Sequence, residues 1–146
     1  MEIMEQQYSP TIYRAQKGLE LSALGAKILA AITNYKRPAP LVSLGLRIEG
    51  VNTETIKLFA HGRTVEARLD HVWNQATKLL MGRIRFLLVE EDRLGAELFA
   101  IHFDPLGNVN GSYAFTADET SMDETVRHIL VEVVNAVHAQ LPTVKI

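Results

Sequence analysis

The chain has no cysteine, which removes disulfides, thiolate nucleophiles and zinc ribbons from what it can do. It has no excess of charge either: 15 Lys and Arg against 17 Asp and Glu leave a net charge of −2 at pH 7. No strong global field therefore recruits nucleic acid or an anionic membrane. The longest greasy stretch, residues 19–32, is shorter than the roughly 20 residues that span a bilayer, and it carries Glu20 and Lys27. Residues 1–7 are acidic and have no basic region leading into an apolar one, so they are not read as a signal peptide. Walker loops, dinucleotide fingerprints, His-Glu-x-x-His pairs and Gly-x-Ser-x-Gly elbows are all absent from the sequence, and no cofactor is expected.

What remains is ordinary: 146 residues, 47% apolar and 22% charged, the make-up of a globular domain that buries a real core. The expectation is a protein of a bacterial-type cytoplasm, with residues 1–8 a disordered tail and 9–146 a single domain.

Ser9 and Pro10 suit the N-cap and first position of a helix that Pro38 and Pro40 stop after about Tyr35. Leu21, Leu24, Ile28 and Ile32 make one apolar stripe at helical spacing; Ala15, Gly18, Ser22, Ala26 and Ala30 make a second stripe of small residues. Small residues at that spacing let another backbone approach closely. That backbone is either the sheet of the same chain or the same helix of a second copy, which makes the stripe a candidate homodimer interface. Residues 41–48 alternate Val42, Leu44, Leu46 and Ile48 against Ser43, Gly45 and Arg47, a strand pattern. Residues 54–60 read as its hairpin partner, with a short helix capped by Asn52 as the alternative.

Thr64 is placed to cap a second helix, with Val65, Leu69, Val72, Trp73, Ala76, Leu79 and Leu80 along an apolar face and Gly82 as its stop. Trp73 then belongs to the core, and Glu66, Asp70 and Asn74 to the wet side. Ser121 and Glu124 match a capping box for a last helix, whose inward face is Val126, Ile129, Leu130, Val133, Val134, Val137 and Leu141.

Between these helices, residues 83–117 read as a three-stranded meander of 83–90, 97–104 and 110–117. Matching apolar faces sets Glu90 opposite Glu97 around a loop centred on residues 92–95, where Gly95 is free to take a positive φ. It sets Phe86 opposite Ile101 and Ile84 opposite Phe103, and then Asp104 opposite Asn110 and Ile101 opposite Tyr113. One face is solid core. On the other, Val89, Leu98, Leu87 and Ala100 suit a covering helix, while Arg85, His102 and Ser112, then Arg83, Asp104 and Asn110, form a polar end in which Arg83 sits opposite Asp104 as a cross-strand ion pair. The expected fold is α+β, an α/β sandwich: a five-stranded mainly antiparallel sheet flanked by three helices in the order α-ββ-α-βββ-α. That order resembles the layout of small adaptor domains of the roadblock type, which set a five-stranded antiparallel sheet between helices.

The polar end is the candidate ligand site: Arg83, Arg85, His102, Asp104 and Ser112. Guanidinium forks suit phosphate or carboxylate, so a small anionic ligand is the chemistry expected there. A hydrolytic triad is not, because His102 and Asp104 are two apart on one strand, roughly 7 Å from each other. The five histidines show no ligand spacing, so no metal is expected. Function is read first as a non-enzymatic protein–protein interaction module, an adaptor, secretion-type chaperone or immunity protein acting on another protein as a homodimer. An anion- or small-molecule-binding domain is the alternative.

Overall fold

Alternation decides the architecture. From Arg63 to Asn74 the odd positions Val65, Ala67 and Leu69 are apolar, while the even positions Glu66, Arg68 and Asp70 are charged. That is the period of a strand with one face buried. A computed structural model describes the backbone of residues 2–35, 45–109, 113–114 and 119–146, and the side chains of 10–35, 45–108 and 122–146. In it, helix α1 (Glu2–Thr33) is followed by β1 (Arg47–Asn52), β2 (Thr55–Ala60), β3 (Arg63–Asn74), β4 (Leu79–Glu90) and β5 (Arg93–Phe103). Two short strands, β6 (Asn108–Val109) and β7 (Tyr113–Ala114), and helix α2 (Glu119–Gln140) complete it. Each strand pairs antiparallel with the next, in the order β1-β2-β3-β4-β5-β6-β7.

The fold is α+β with an antiparallel sheet of five long strands, as expected, and β6 and β7 extend its edge. It has two helices among the described residues rather than three. The expected middle helix over 64–80 is the β3–β4 hairpin, so the roadblock-like order of elements is not reproduced. Residues 54–60 are strand, not helix. The expected strand over 41–48 falls partly on 41–44, outside the described residues; β1 itself begins at Arg47. The first helix begins at Glu2, and Pro10 lies inside it rather than at its first position. The last begins at Glu119, two residues before the expected cap Ser121.

Both helices pack on one face of the sheet, which corrects the expectation of a sheet covered on both sides. A single core joins Leu21, Ile28, Leu29 and Ile32 of α1 to Ile129, Leu130, Val133 and Val137 of α2. The sheet supplies Ile56, Leu58, Val65, Ala67, Ile84, Phe86, Leu88, Ile101 and Phe103, all on the same face by register. Apart from the small Ala67, each such side chain, fully buried, contributes about 1.5–3 kcal/mol. Phe86 stacks on its cross-strand partner Phe99 at 4.4 Å between ring centroids.

The turns are tight. His61 and Gly62 both have positive φ (53° and 71°), a two-residue hairpin turn whose twist matches the flanking strands. Glu91 and Asp92 do the same (52° and 60°) between Glu90 and Arg93, which face each other. The expected loop around Asp92–Gly95, with Glu90 opposite Glu97, is thereby corrected. Ile84 faces Ile101 and Phe86 faces Phe99, two residues from the expected pairing, with bulges between Phe86 and Val89. The next hairpin is displaced likewise: Phe103 faces Val109, and Tyr113 faces Val109 rather than Ile101.

Candidate functional site

On the face away from the helices the register lines up rows of charge. Asp70 of β3 faces Arg83 of β4, which faces His102 of β5; Arg68 faces Arg85, which faces Ala100. Arg83 donates two hydrogen bonds to Asp70, Nε to Oδ1 at 2.8 Å and an Nη to Oδ2 at 2.6 Å. That hydrogen-bonded partner, more than the opposing desolvation, raises the Arg83 pKa above the ordinary arginine value. Arg85 donates to Glu97 at 2.7 Å, and Arg68 to Glu66 at 3.1 Å. The expected Arg83–Asp104 pair is not formed, because the two-residue displacement puts His102 opposite Arg83.

Asp104 instead organises the turn after β5. Its Oδ1 accepts from the backbone N–H of Leu106 (2.9 Å) and of Asn108 (3.0 Å), and its Oδ2 from the Asn108 side-chain amide (2.9 Å). Of the five predicted ligand residues, Arg83, His102 and Asp104 do come together, with Val72, Trp73, Asn74, Met81 and Asn108, around an open depression of about 770 Å3. Arg85 does not line it, and Ser112 lies outside the described residues.

Round the corner, on the helix side, lies a groove of about 470 Å3 that the sequence reading missed. It is walled by Pro10, Tyr13, Arg14 and Lys17 of α1, by Trp73, Lys78, Leu79 and Leu80 at the far end of the β3–β4 hairpin, and by Asp104, Pro105 and Leu106. Four of its large apolar side chains stand in solvent: Tyr13 is 58% exposed, Trp73 54%, Leu79 60% and Leu106 82%. Trp73, expected in the core, is thus a surface residue, because β3 carries it past the last core layer. The Arg14 guanidinium lies 5.4 Å from the centre of its ring, and the Lys17 ammonium 5.4 Å from that of Tyr13. Asn74 shapes the hairpin end, its Oδ1 accepting from the N–H groups of Ala76 (3.0 Å) and Thr77 (3.3 Å).

The small-residue stripe is partly used inside the chain. A Cβ at Gly18 would meet His71 at 3.5 Å and Leu80 at 3.8 Å, and the Ser22 hydroxyl is 3.0 Å from His71 Nε2. Ala26 is half-buried, while Ala15 and Ala30 are exposed. Elsewhere His61 and His138 share a hydrogen bond, Nε2 to Nε2 at 2.6 Å, tying the β2–β3 turn to the end of α2. Among the described residues no three His, Asp or Glu side chains converge in a way that could hold a metal, and no helix is long and apolar enough to cross a membrane. The chain matches no family model, no curated protein and no solved structure.

Proposed function

We propose that the protein is a non-enzymatic, cytoplasmic protein-interaction module, and that its working surface is the groove between α1, the end of the β3–β4 hairpin and the turn after β5. The observation that carries this is the set of exposed apolar side chains around that groove: Tyr13, Trp73, Leu79 and Leu106. Isolated exposed apolar residues are ordinary, but a group of them rimmed by charge is the usual mark of a binding surface. The polar residues that first suggested chemistry support the same reading from the other side. Arg83, Arg85 and Asp104 are engaged by Asp70, by Glu97 and by the turn of their own chain, so they are placed to hold structure.

The test is selection of peptides from a random dodecapeptide library displayed on phage, using the intact chain. The expected result is an enriched family whose binding changes Trp73 fluorescence and is lost in Leu79→Asp. Failure to enrich any family, or peptides that bind Leu79→Asp as well as wild type, sinks the proposal.

A small anion at the outer depression is the second reading, supported by Arg83, His102, Asn74 and Asn108 sharing its wall. It predicts a thermal shift with phosphate or a dicarboxylate that Arg83→Gln removes. A homodimer built on α1 would use its exposed members, Ala15, Leu19 and Ala30. Light scattering on the purified chain decides it; a monomer at tens of micromolar excludes that arrangement.

A further inference from the structure

We infer that the groove is built for an acidic segment of a partner protein, an extended or helical stretch with one or two aliphatic or aromatic anchors flanked by Asp or Glu. This rests on the interaction reading just given and adds the chemistry of the occupant. The apolar walls fix the need for anchors; the charge around them fixes the flanks. Among the described residues three cations, Arg14, Lys17 and Lys78, line the groove against one carboxylate, Asp104. That carboxylate accepts hydrogen bonds from the turn it organises, two from backbone N–H groups and one from Asn108. It is therefore directed into its own loop. Lys17 has a surface ion pair with Glu20 at 3.1 Å, an exposed contact of a kind that solvent keeps exchangeable. The Arg14 guanidinium lies 5.4 Å from the centre of the Trp73 ring, an exposed cation beside an apolar surface, and guanidinium forks suit carboxylates.

The contrast with the outer face of the sheet gives the inference its force. The chain as a whole is slightly acidic, and on the outer face of the sheet every arginine of the two central strands has its own carboxylate: Arg68 with Glu66, Arg83 with Asp70, Arg85 with Glu97. At the groove the balance turns positive just where apolar side chains are uncovered. Charge at such a rim selects among partners and speeds their encounter more than it adds affinity.

The experiment uses three peptides with the same Phe and Leu anchors and no tryptophan, their flanks all Glu, all Gln or all Lys. Binding to the full chain is read from Trp73, its single tryptophan. The Glu peptide is expected to bind at least about tenfold more tightly than the Gln peptide, to weaken steeply between about 50 mM and 500 mM NaCl, and to outbind the Lys peptide further still. In the double variant Arg14→Glu/Lys78→Glu, whose two sites are exposed, the order is expected to level or reverse; Arg14→Gln/Lys78→Gln, with circular dichroism on both, separates charge from loss of fold. If the three peptides bind wild type alike, or the Gln or Lys peptide binds best, the acidic partner is excluded while the groove stands as an interaction site. If none binds at 1 mM the inference is overturned, and the phage selection alone decides the broader reading.

Discussion

Gly82→Ala is the sharpest test of the register on which the site rests. Gly82 lies on β4 directly opposite Phe103 on β5, and both are buried. A methyl group there would overlap the far edge of the Phe103 ring at Cζ, and would still be only 2.8 Å from Cε1. The ring is fully enclosed, so it has no free volume to move into. In an unobstructed strand, replacing glycine by alanine would gain roughly 0.5–1 kcal/mol from the unfolded state. Overpacking a filled core costs about 1–3 kcal/mol, and a rigid ring sits at the upper end. The net expectation is a loss of about 1–2 kcal/mol. For a domain of this length that is a fall in Tm of roughly 2–8 °C. Urea unfolding followed by circular dichroism measures it directly. The double variant Gly82→Ala/Phe103→Leu supplies the control, because the smaller side chain vacates the space the methyl needs. Its coupling energy should be favourable by at least about 1 kcal/mol. Had β4 and β5 paired as the sequence suggested, with Phe103 opposite Ile84, the methyl would not meet this ring. A Gly82→Ala protein as stable as wild type, or a strictly additive cycle, refutes the observed pairing.

Gly18→Ala should act in the opposite direction, gaining about 0.5–1 kcal/mol, because the new methyl would only touch His71 and Leu80 at ordinary contact distances within a helix. Glu91→Asn with Asp92→Gly should stabilise by about 1 kcal/mol or more, since both residues hold a left-handed conformation that costs L-residues with a Cβ about that much; urea midpoints check both. Asp70→Asn removes the partner of Arg83, but both side chains retain solvent (Asp70 40% and Arg83 29% exposed), so the loss should stay below about 1 kcal/mol. The Arg83 pKa is raised on folding, so its share of that stability is present below the unfolded value and lost only as pH climbs through the raised one. Unfolding midpoints should therefore carry no Arg83 step between about pH 6 and pH 10. Trp73 should emit like a solvated indole and be quenched by acrylamide in the native state; a blue-shifted, protected tryptophan would contradict its place on the surface.

The register shows what a sequence pattern can and cannot say. Side chains on a strand repeat every two residues, so matching apolar faces excludes a slip of one and is blind to a slip of two. Phe86 faces the core whether its partner is Ile101 or Phe99. What selects the second is the turn: the strands close through Glu91 and Asp92, without the glycine that would advertise such a turn, while Gly95, the residue that looked like the loop, lies within β5. Those two residues took Asp104 away from Arg83 and set His102 opposite it, while Asp70 reaches Arg83 from the other side through the β3–β4 pairing. The candidate polar end kept its location and changed its wiring.

The lost helix has a different cause. Val65, Leu69, Val72, Trp73, Ala76 and Leu80 do fall at helical spacing, and that pattern concealed a second one. Glu66, Arg68 and Asp70 alternate with Val65, Ala67 and Leu69, and the small Ala67 is the residue that has to be counted as apolar for the strand to be seen. The last helix was legible because its apolar face fits the helical period alone, down to the buried Val126, Ile129, Leu130, Val133, Val134 and Val137.

Misreading that one hairpin is also why the groove was invisible. As a helix, residues 64–80 would bury Trp73 and Leu79 together against the sheet. Instead β3 and β4, of 12 residues each, extend about 40 Å, whereas α2, with 22 residues, is about 33 Å long. The fully buried residues of β3 end at Ala67 and those of β4 begin at Gly82, so the hairpin runs well past the region where both helices cover the sheet. Only the N-terminal half of α1 accompanies it there, close enough that Gly18 faces His71 and Arg14 lies over Trp73. A hairpin that outruns its core would ordinarily end in polar residues. This one ends in Trp73, Leu79 and, across the next turn, Leu106, and the cations beside them stand where an acidic partner could reach both charge and apolar surface at once.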